Sequence, residues 1–243
     1  MITVAEAQRQ LSKQSFKLEP DRVLLNEALG RIAFDDIVSE LAIPPSDNSA
    51  MDGFAVNSSD LNVGKMSFKV SQRIPAGASP EPLQAGTAAR IFTGGMMPIG
   101  ADAVVIQEDC DYSQEHVTVL KPVESGANVR PQGQDIIRGA KVVNKGQKLN
   151  AIDISLLASI GCHDVSVFKP LTVALFSTGD ELVEAGEILK PGQIYNSNRP
   201  LLVALCQQLG YHVFDCGVVE DTFNATKDAL ANAAINADVI ISS

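Results

Sequence analysis

The stretch LTVALFSTGDEL, residues 171–182, decides the fold of the C-terminal part of the chain. Its first half is a continuous apolar run with β-branched residues, which predicts a strand buried on both faces. The run ends at Ser177, where polar residues begin. Predicted helices and strands then alternate: helix over 199–210, strand over 211–219, helix over 222–236 and strand over 238–242. This alternation indicates an α/β domain with a parallel sheet.

The loops that follow these strands are the first candidate site, because ligands of open parallel sheets bind beyond the carboxyl ends of the strands. The loops are STGDEL (177–182), EDT (220–222) and SS (242–243). We expect them to meet on one edge of the sheet. Together they supply hydroxyl and carboxylate side chains: Ser177, Thr178, Asp180, Glu181, Asp221 and Ser242.

The carboxylates of this edge suggest a cation. Asp180, Glu181 and Asp221 have no obvious basic partner nearby in sequence, and packed like charges raise one another's pKa unless a cation intervenes. Oxygen ligands of this kind suit Mg²⁺, which also bridges to substrate phosphates. The same residues are equally typical of solvated loops and helix N-caps. Spacing alone leaves both interpretations open.

Before residue 170 the sequence has a different texture. Short alternating apolar runs, separated by Gly, Pro, Ser and Asp, fill residues 39–140 and predict an antiparallel β domain, barrel-like or a sandwich. A capping box at Thr3–Glu6 predicts a first helix, a short helical piece is expected within 23–37, and a further helix is expected from Asn150 to Gly161.

Three loops of the predicted β domain carry groups that suit ion binding. RIFTGGMMPIGADAVV (90–105) places Thr93 before two glycines that expose backbone N–H groups. PSDNSAMDG (45–53) offers several side-chain oxygens, and NVRPQGQDIIRG (128–139) places two arginines in a glycine-containing loop. Each has a plain alternative, which is a wide hairpin connection, a turn and solvent-exposed arginines, respectively.

The composition limits the class of partner. Nineteen Lys and Arg against 29 Asp and Glu give a formal net charge of −10 over 243 residues. Such a surface repels nucleic acid and anionic membranes. No apolar run is long enough to span a bilayer, and the N-terminal sequence lacks the features of a signal peptide. We therefore expect a cytoplasmic protein with no nucleic-acid or membrane partner.

Several stretches together carry a resemblance that no single motif carries. They are PPSDNSAMDGFAV (44–56), FTGGMMPIGADAVVIQED (92–109), VRPQGQDIIRGA (129–140), FSTGDELV (176–183), GQIYNSNRPLL (192–202) and GVVEDT (217–222). In this order they resemble the molybdopterin molybdenumtransferases, the MoeA-like family that includes the C-terminal domain of gephyrin. One minor departure is Gly95, which stands where alanine is frequent in the family.

The resemblance implies an enzyme of molybdenum cofactor biosynthesis. It implies insertion of molybdenum from molybdate into adenylylated molybdopterin, with Mg²⁺ as cofactor and AMP as a product. It further implies a homodimer, with each site between the α/β domain of one subunit and the β domain of the other. Molybdopterin adenylyltransferase and molybdoenzyme apoproteins are the expected protein partners. The alternative, from a different class, is a non-catalytic dimerising scaffold or partner-binding module of the same fold.

The resemblance also implies roles for individual residues, which are carried over motif by motif. The implied catalytic residues are Asp52, Thr93 and Glu181, the implied metal ligands are Asp180, Glu181 and Asp221, and the implied cofactor-binding residues are Ser177, Thr178, Gly179 and Ser242. Asp52 and Thr93 would act from across the dimer interface.

The implied fold is multidomain, with α/β and β parts. Residues 1–13 would form an N-terminal helix that packs on the α/β domain, and 14–38 with 140–169 a small mixed linker and dimerisation domain. Residues 39–139 would form an inserted β domain, and 170–243 an incomplete parallel three-layer α/β domain that binds molybdopterin. The chain ends directly after a predicted strand, and the family's C-terminal β domain is absent. We therefore expect a fragment that is inactive alone.

Overall fold

The alternation of strands and helices predicted after residue 170 is present in the computed structural model of the chain, which describes residues 2–13 and 18–243. The chain divides into two units. The first contains Met1–Asp35, Asn144–Ile154 and His163–Ser243, and the second contains Asp36–Val143 and Ser155–Cys162. The predicted four-part division of the chain, from 1–13 to 170–243, stays a prediction, and its residues 1 and 14–17 lie outside the described residues.

The helices and strands of the described residues are as follows. The α-helices are α1 (Val4–Ser12), α2 (Ser58–Asn62), α3 (Ala151–Ser159), α4 (Asn198–Gln208) and α5 (Phe223–Asn236), and two 3₁₀ turns span Leu25–Glu27 and Gln107–Asp109. The strands are β1 (Pro20–Leu24), β2 (Ile37–Val38), β3 (Asn48–Ser49), β4 (Gly53–Val56), β5 (Ser67–Ile74), β6 (Thr87–Ile91), β7 (Ala103–Ile106), β8 (Cys110–Tyr112), β9 (His116–Val119), β10 (Val129–Arg130), β11 (Lys141–Val143), β12 (Asp164–Phe168), β13 (Thr172–Thr178), β14 (Leu182–Val183), β15 (Ile194–Tyr195), β16 (His212–Val219) and β17 (Val239–Ser242). Within this part of the chain, no helix is long and apolar enough to cross a membrane.

The apolar run at 171–176 forms the central strand of a parallel sheet, as predicted. Strand β13 lies between β16 and β17, and both pairs are parallel. Helix α4 packs on β13 and β16, and α5 packs on all three strands. Because β13 is covered by helices, Val173 and Leu175 are almost fully buried and pack with Cys206 of α4.

The predicted β domain contains a six-stranded sheet in the order β7-β4-β6-β5-β9-β8. The expectation that it is antiparallel throughout is wrong at one pair, since β5 and β6 run parallel. Residues 75–86 separate these two strands, and about a dozen residues suffice to carry a chain back for a parallel pair. The alternating pattern reports burial and is blind to strand direction, so it did not reveal this crossover.

Both faces of the six-stranded sheet are covered at β4. In β4, Phe54 and Val56 belong to one hydrophobic cluster and Ala55 belongs to another. Successive residues of a strand point to opposite faces, so every residue of β4 is buried. Strand β4 lies between β7 and β6, and the loop that precedes it carries Asp52.

The N-terminal predictions are confirmed only in part. Thr3 caps α1 by accepting a hydrogen bond from the Glu6 N–H at 3.2 Å. The helical piece expected within 23–37 is only a three-residue 3₁₀ turn, Leu25–Glu27. Its neighbours form tertiary backbone bonds instead: the Leu25 N–H donates to the His163 carbonyl and the Gly30 N–H to the Leu149 carbonyl. Tertiary pairing therefore overrides local helix propensity at this point.

Candidate functional site

The carboxyl edge of the parallel sheet brings two of the three predicted loops into direct contact. The Ser177 side chain is fully buried, and its Oγ lies 2.9 Å from the Oγ of Ser243. The Thr178 N–H donates to the Ser243 carbonyl at 2.9 Å, and Thr178 stands beside Val219 at the end of β16. Hydroxyl groups from loops about 65 residues apart in sequence therefore line one edge, as a parallel sheet requires.

A tight turn follows this edge and carries the first two carboxylates. The Leu182 N–H donates to the Gly179 carbonyl at 3.1 Å, and the Ile194 N–H donates to the Glu181 carbonyl at 2.9 Å. Gly179 has a φ of +151°, and a Cβ at this position would lie 2.8 Å from a carboxylate oxygen of Glu181. The glycine therefore allows the Glu181 side chain to fold back over the turn.

Beside Ser177 lies an asparagine that the sequence reasoning did not single out. Asn196 is 4% exposed, and its Oδ1 accepts hydrogen bonds from the Arg199 N–H at 3.2 Å and from the Ser177 Oγ at 3.5 Å. The bond from the Arg199 N–H identifies Oδ1 as the acceptor, so the other atom is the amide nitrogen. This Nδ2 is buried and has no hydrogen-bond partner among the described residues.

Arg199, next to this edge in α4, pairs with two acids other than the predicted metal ligands. Its guanidinium donates to Glu184 at 3.0 Å and to Asp215 at 3.2 Å, and its side chain is 21% exposed. Asp215 also accepts from the Gly217 N–H at 3.0 Å. The sequence did carry a signal for Asn196 and Arg199, because a polar N-S-N-R-P run between a strand and a helix marks a helix start.

The three predicted metal ligands are not gathered into one site. Asp180, Glu181 and Asp221 are all exposed, and no group of three His, Cys, Asp or Glu side chains within residues 2–13 and 18–243 is placed to hold a metal ion. Asp221 precedes Thr222, whose Oγ1 caps α5 by accepting from the Ala225 N–H at 3.3 Å. Ser242 is exposed at the end of β17. The assignment of metal ligands stays a prediction.

Asp52 and Thr93, two of the implied catalytic residues, are hydrogen-bonded to each other. Oδ1 of Asp52 accepts hydrogen bonds from the Thr93 N–H at 2.8 Å and from the Thr93 Oγ1 at 2.9 Å. The backbone N–H bond of Thr93 lowers the pKa of Asp52 most, the side-chain bond adds to this effect, and the charge of Arg90 contributes further. Both residues lie at the surface of the unit that contains the six-stranded sheet. Asp52 is therefore an ionised carboxylate at neutral pH.

Glycines on both sides make this pair possible. A Cβ on Gly53 would lie 2.0 Å from the Val105 carbonyl oxygen, and a Cβ on Gly95 would lie 2.8 Å from two backbone oxygens. Gly94 has a φ of +79°, and its N–H donates to the Ser49 carbonyl at 2.8 Å. The Gly-Gly pair thus packs against the loop of residues 45–53. Alanine at position 95 would require the backbone to shift.

The arginine-containing loop of residues 128–139 lies next to the loop of residues 45–53. The Gln132 N–H donates to Oδ1 of Asp47 at 2.7 Å, and Arg130 pairs with Asn48 in a two-stranded ladder. Arg138 lines a surface cavity of about 430 Å³, together with Glu40, Leu41, Ala42, Pro45, Gln132, Gly133 and Ile137. The two loops therefore lie side by side, and both arginines are exposed, so the two interpretations given for them stay open.

Comparison with known families agrees with the geometry of both regions. The family described as MoeA N-terminal region (domain I and II) matches residues 2–161. The family described as "Probable molybdopterin binding domain" matches residues 174–243, which contain the parallel sheet and its hydroxyl-lined edge. The chain therefore belongs to the MoeA family, and its fold class is the multidomain α/β and β one that the motifs predicted.

Individual relatives match all or most of this chain. The chain is 35% identical to the molybdopterin molybdenumtransferase of Haemophilus influenzae, over 100% of this chain and 61% of that protein. It is 41% identical to the molybdopterin molybdenumtransferase of Nostoc sp., over 89% of this chain and 51% of that protein. A crystal structure of a molybdopterin biosynthesis MoeA protein from Pyrococcus horikoshii superposes with a TM-score of 0.90 at 33% identity, over 99% of this chain and 63% of that one. The chain thus spans less than two thirds of these relatives.

Proposed function

We propose that the protein to which this chain belongs inserts molybdenum from molybdate into adenylylated molybdopterin, with release of AMP. The family assignment and the named relatives support this transferase activity. The proposal concerns the whole protein, because the chain spans only 51% to 61% of those two relatives. We expect the 243 residues alone to release no AMP in the presence of molybdate.

The observation that carries the proposal is the donor-rich carboxyl edge of the parallel sheet. The Ser177 and Ser243 hydroxyls meet there, and the buried Asn196 Nδ2 beside them has no acceptor among the described residues. A buried donor without a partner costs about 1–3 kcal/mol, so it favours a ligand or water that supplies an acceptor oxygen. Phosphate and molybdate oxygens are such acceptors. This edge is therefore the proposed binding place for the anionic part of the substrate.

The predicted Mg²⁺ fits the chemistry of this edge but not as a cage made of protein alone. Asp180, Glu181 and Asp221 offer only oxygen donors, and they do not form a three-ligand cluster. Mg²⁺ commonly uses one or two carboxylates together with substrate phosphates, so Asp180 and Glu181 are the proposed ligands, with Asp221 on the neighbouring loop. When bound, the ion would neutralise the charge of the pyrophosphate linkage.

The residues of the chain would act by position and charge. Ser177, Thr178 and Asn196 would orient the phosphate oxygens through N–H and O–H donors, which are worth most where charge develops in the transition state. Asp52 cannot bind a phosphate directly because it is an ionised acceptor. Held by Thr93, it would instead accept a hydrogen bond from the attacking water or from a substrate N–H group. That water would form a new P–O bond to one phosphorus of the pyrophosphate linkage while the bond from this phosphorus to the bridging oxygen breaks, so that AMP leaves as one phosphate product and molybdopterin keeps the other phosphate.

The assembly and the location follow from the resemblance and remain proposals. We propose a homodimer in which Asp52 and Thr93 complete the partner subunit's site, with molybdopterin adenylyltransferase and molybdoenzyme apoproteins as further partners. The acidic charge of −10 supports a protein that binds neither nucleic acid nor an anionic membrane surface. A cytoplasmic location is part of the same proposal.

The function is tested by substitutions that keep size and remove charge. In the full natural protein, Asp52→Asn and Glu181→Gln should each lower molybdate-dependent AMP release by about 100-fold or more, as loss of a charged catalytic group does. Asp228→Asn, which neutralises an exposed acid of α5, is the matched control and should change the rate less than about twofold. Wild-type rates in both site variants, with normal unfolding midpoints, would overturn the roles assigned to Asp52 and Glu181, and absence of AMP release by the unsubstituted protein would leave the non-catalytic scaffold as the better assignment.

A further inference from the structure

Arg90 is a partly buried cation next to the Asp52–Thr93 pair. It lies on β6 directly opposite Phe54 of β4, and side chains of such antiparallel partners share one face of the sheet. Its guanidinium carbon lies 5.0 Å from the ring centroid of Phe54, 4.8 Å from that of Phe92 and 5.2 Å from that of Tyr112. Three aromatic rings around one guanidinium attract it and restrict its motion.

The same guanidinium joins the two backbone segments that meet at Asp52. One of its terminal nitrogens donates to the Gly53 carbonyl at 3.0 Å, and the other donates to Oε1 of Gln107 at 2.6 Å. The Gln107 N–H in turn donates to the Asp52 carbonyl at 3.0 Å. The carbonyls of Asp52 and Gly53 are therefore both tied to the connected pair of Arg90 and Gln107. The guanidinium reaches the two acceptors with two separate nitrogens in one plane, an arrangement that the single ammonium nitrogen of lysine does not reproduce.

This clamp acts on the backbone from which the Asp52 carboxylate projects. If the turn from Asp52 to Gly53 moves, Oδ1 loses its two bonds to Thr93, which lie at 2.8 and 2.9 Å. The positive charge of Arg90 also favours the ionised form of Asp52, after the larger effects of the two Thr93 bonds. The hydrogen bonds of Arg90 and its positive charge thus both favour an ionised Asp52 carboxylate held on Thr93.

We propose that Arg90 is a positioning residue for Asp52, which holds the Asp52–Gly53 turn through its bonds to Gly53 and Gln107 and thereby keeps the carboxylate on Thr93. The expected effect of Arg90 on turnover rests on the proposed function. The expected effect of Arg90 on the Asp52–Thr93 hydrogen bond does not rest on it. A purely structural role of Arg90, in which it only caps the aromatic cluster, is the competing interpretation.

Two variants separate the effect of the two hydrogen bonds of Arg90 from the effect of its charge. Arg90→Lys keeps the positive charge and loses the two-armed bond, and Arg90→Gln loses both. The matched control is Arg73→Gln, because Arg73 stacks on the same Phe92 ring at 4.6 Å while no hydrogen bond of the described residues joins it to Gly53 or Gln107. All three variants are compared with the unsubstituted protein.

The first readout is independent of activity. Hydrogen exchange of the Thr93 amide reports the bond to Asp52, and exchange of the Val70 amide, which donates to the Glu115 carbonyl in the same sheet, reports global opening. Both Arg90 variants should accelerate exchange at Thr93 about tenfold relative to Val70, and Arg73→Gln should leave the ratio unchanged. A carbon-13 titration of the Asp52 carboxyl should show a higher pKa in Arg90→Gln than in Arg73→Gln.

The second readout is molybdate-dependent AMP release by the full natural protein. Both Arg90 variants should lower turnover about 10- to 100-fold with KM nearly unchanged, as misplacement of a catalytic group does. If Arg90→Lys equals the wild type in turnover and in Thr93 exchange, or if Thr93 and Val70 accelerate equally in both variants, the positioning role is wrong. If the wild type itself releases no AMP, the proposed function fails, and the exchange ratio still decides the role of Arg90.

Discussion

The two regions that carry the candidate site residues differ in how far they are organised. In the unit with the six-stranded sheet, Asp52 has both Thr93 donors on one oxygen, and its neighbour Gly53 is fully buried. At the edge of the parallel sheet, the carboxylates of Asp180 and Glu181 are exposed and part of no three-ligand cluster within the described residues. The first region contains the hydrogen-bonded pair of Asp52 and Thr93. The second contains a sheet edge lined by hydroxyl groups, with exposed carboxylates beside it.

The difference has a physical cause in the two kinds of sheet. A strand end in a covered mixed sheet is surrounded by neighbouring backbone, so donors such as the Thr93 N–H lie within reach. The carboxyl ends of parallel strands lead into loops that diverge toward solvent, and only the innermost groups, such as Ser177, are buried. We therefore expect substitutions in the first region to act through packing, and those in the second to act through polar pairs and ligands.

The largest expected effect breaks the packed region. Gly53→Ala places a Cβ 2.0 Å from the Val105 carbonyl oxygen and should lower the free energy of unfolding by about 3 kcal/mol or more. Gly64→Ala is the control, because its φ of +85° strains alanine while nothing lies within 4 Å, and it should cost about 1–2 kcal/mol. Denaturant unfolding measures both. Equal losses would show that the close approach at Gly53 relaxes at little cost.

The second prediction breaks the polar pairs beside the parallel sheet. Arg199→Ala removes the partner of Glu184 and Asp215 from a site where the arginine is 21% exposed, and it should cost about 2 kcal/mol. Arg22→Ala is the control, because this arginine pairs with Asp164 while 79% exposed, and it should cost less than about 0.5 kcal/mol. A loss as small as that of the control would mean that solvent replaces both pairs.

A smaller effect sharpens the comparison through pH. Burial raises the pKa of Asp102, but hydrogen bonds from the Ser58 N–H and Oγ, both at 2.7 Å, outweigh it and the net pKa is lowered. A lowered folded-state pKa stabilises the protein above the ordinary value of 3.8 and loses this contribution as pH falls through the folded-state value. Asp102→Asn should cost about 1 kcal/mol at pH 7, with solvent screening allowed for, and flatten the loss of stability below pH 4. An unchanged acid slope in thermal unfolding would contradict this.

The smallest expected effect concerns the formed pair itself. Thr93→Val removes the Oγ1 donor and keeps the backbone N–H, which has the larger influence on Asp52. The pKa of Asp52 should therefore rise but stay below 3.8, as followed by carbon-13 titration of its carboxyl. Thr226→Val, a substitution of the same size on α5, should leave this titration in place. A value at or above 3.8 in Thr93→Val would show that the side-chain bond dominates.

Sequence reasoning reached the elements whose signal is local. The buried strand at 171–176, the helix over 222–236 and the helix that begins near Asn150 were all predicted and are present. It missed the parallel pair of β5 and β6 and overestimated the helix within 23–37, because both depend on which distant strand supplies the hydrogen bonds.

The candidate site shows the same division. Asp52, Thr93 and Ser177 were named as candidates from their motifs, and each has a hydrogen-bond partner in the structure, while their functional roles stay predictions. Arg90 and Asn196 were not found, although Arg90 hydrogen-bonds to the carbonyl of Gly53, next to Asp52, and Asn196 accepts from Ser177. An arginine on a strand has no distinctive local pattern, and the polar run around Asn196 signals a helix start without showing which side chain Asn196 contacts.

The amino-acid order by itself determined the buried strand at 171–176, the alternation that follows it and the membership of the MoeA family, because periodicity, caps and motifs are properties of neighbouring residues. Only the tertiary structure decided that Ser177 meets Ser243, that Gly53 abuts Val105 and that Arg90 clamps the turn at Asp52. These contacts join residues 37 to 66 positions apart, and such pairings arise from the packing of whole strands.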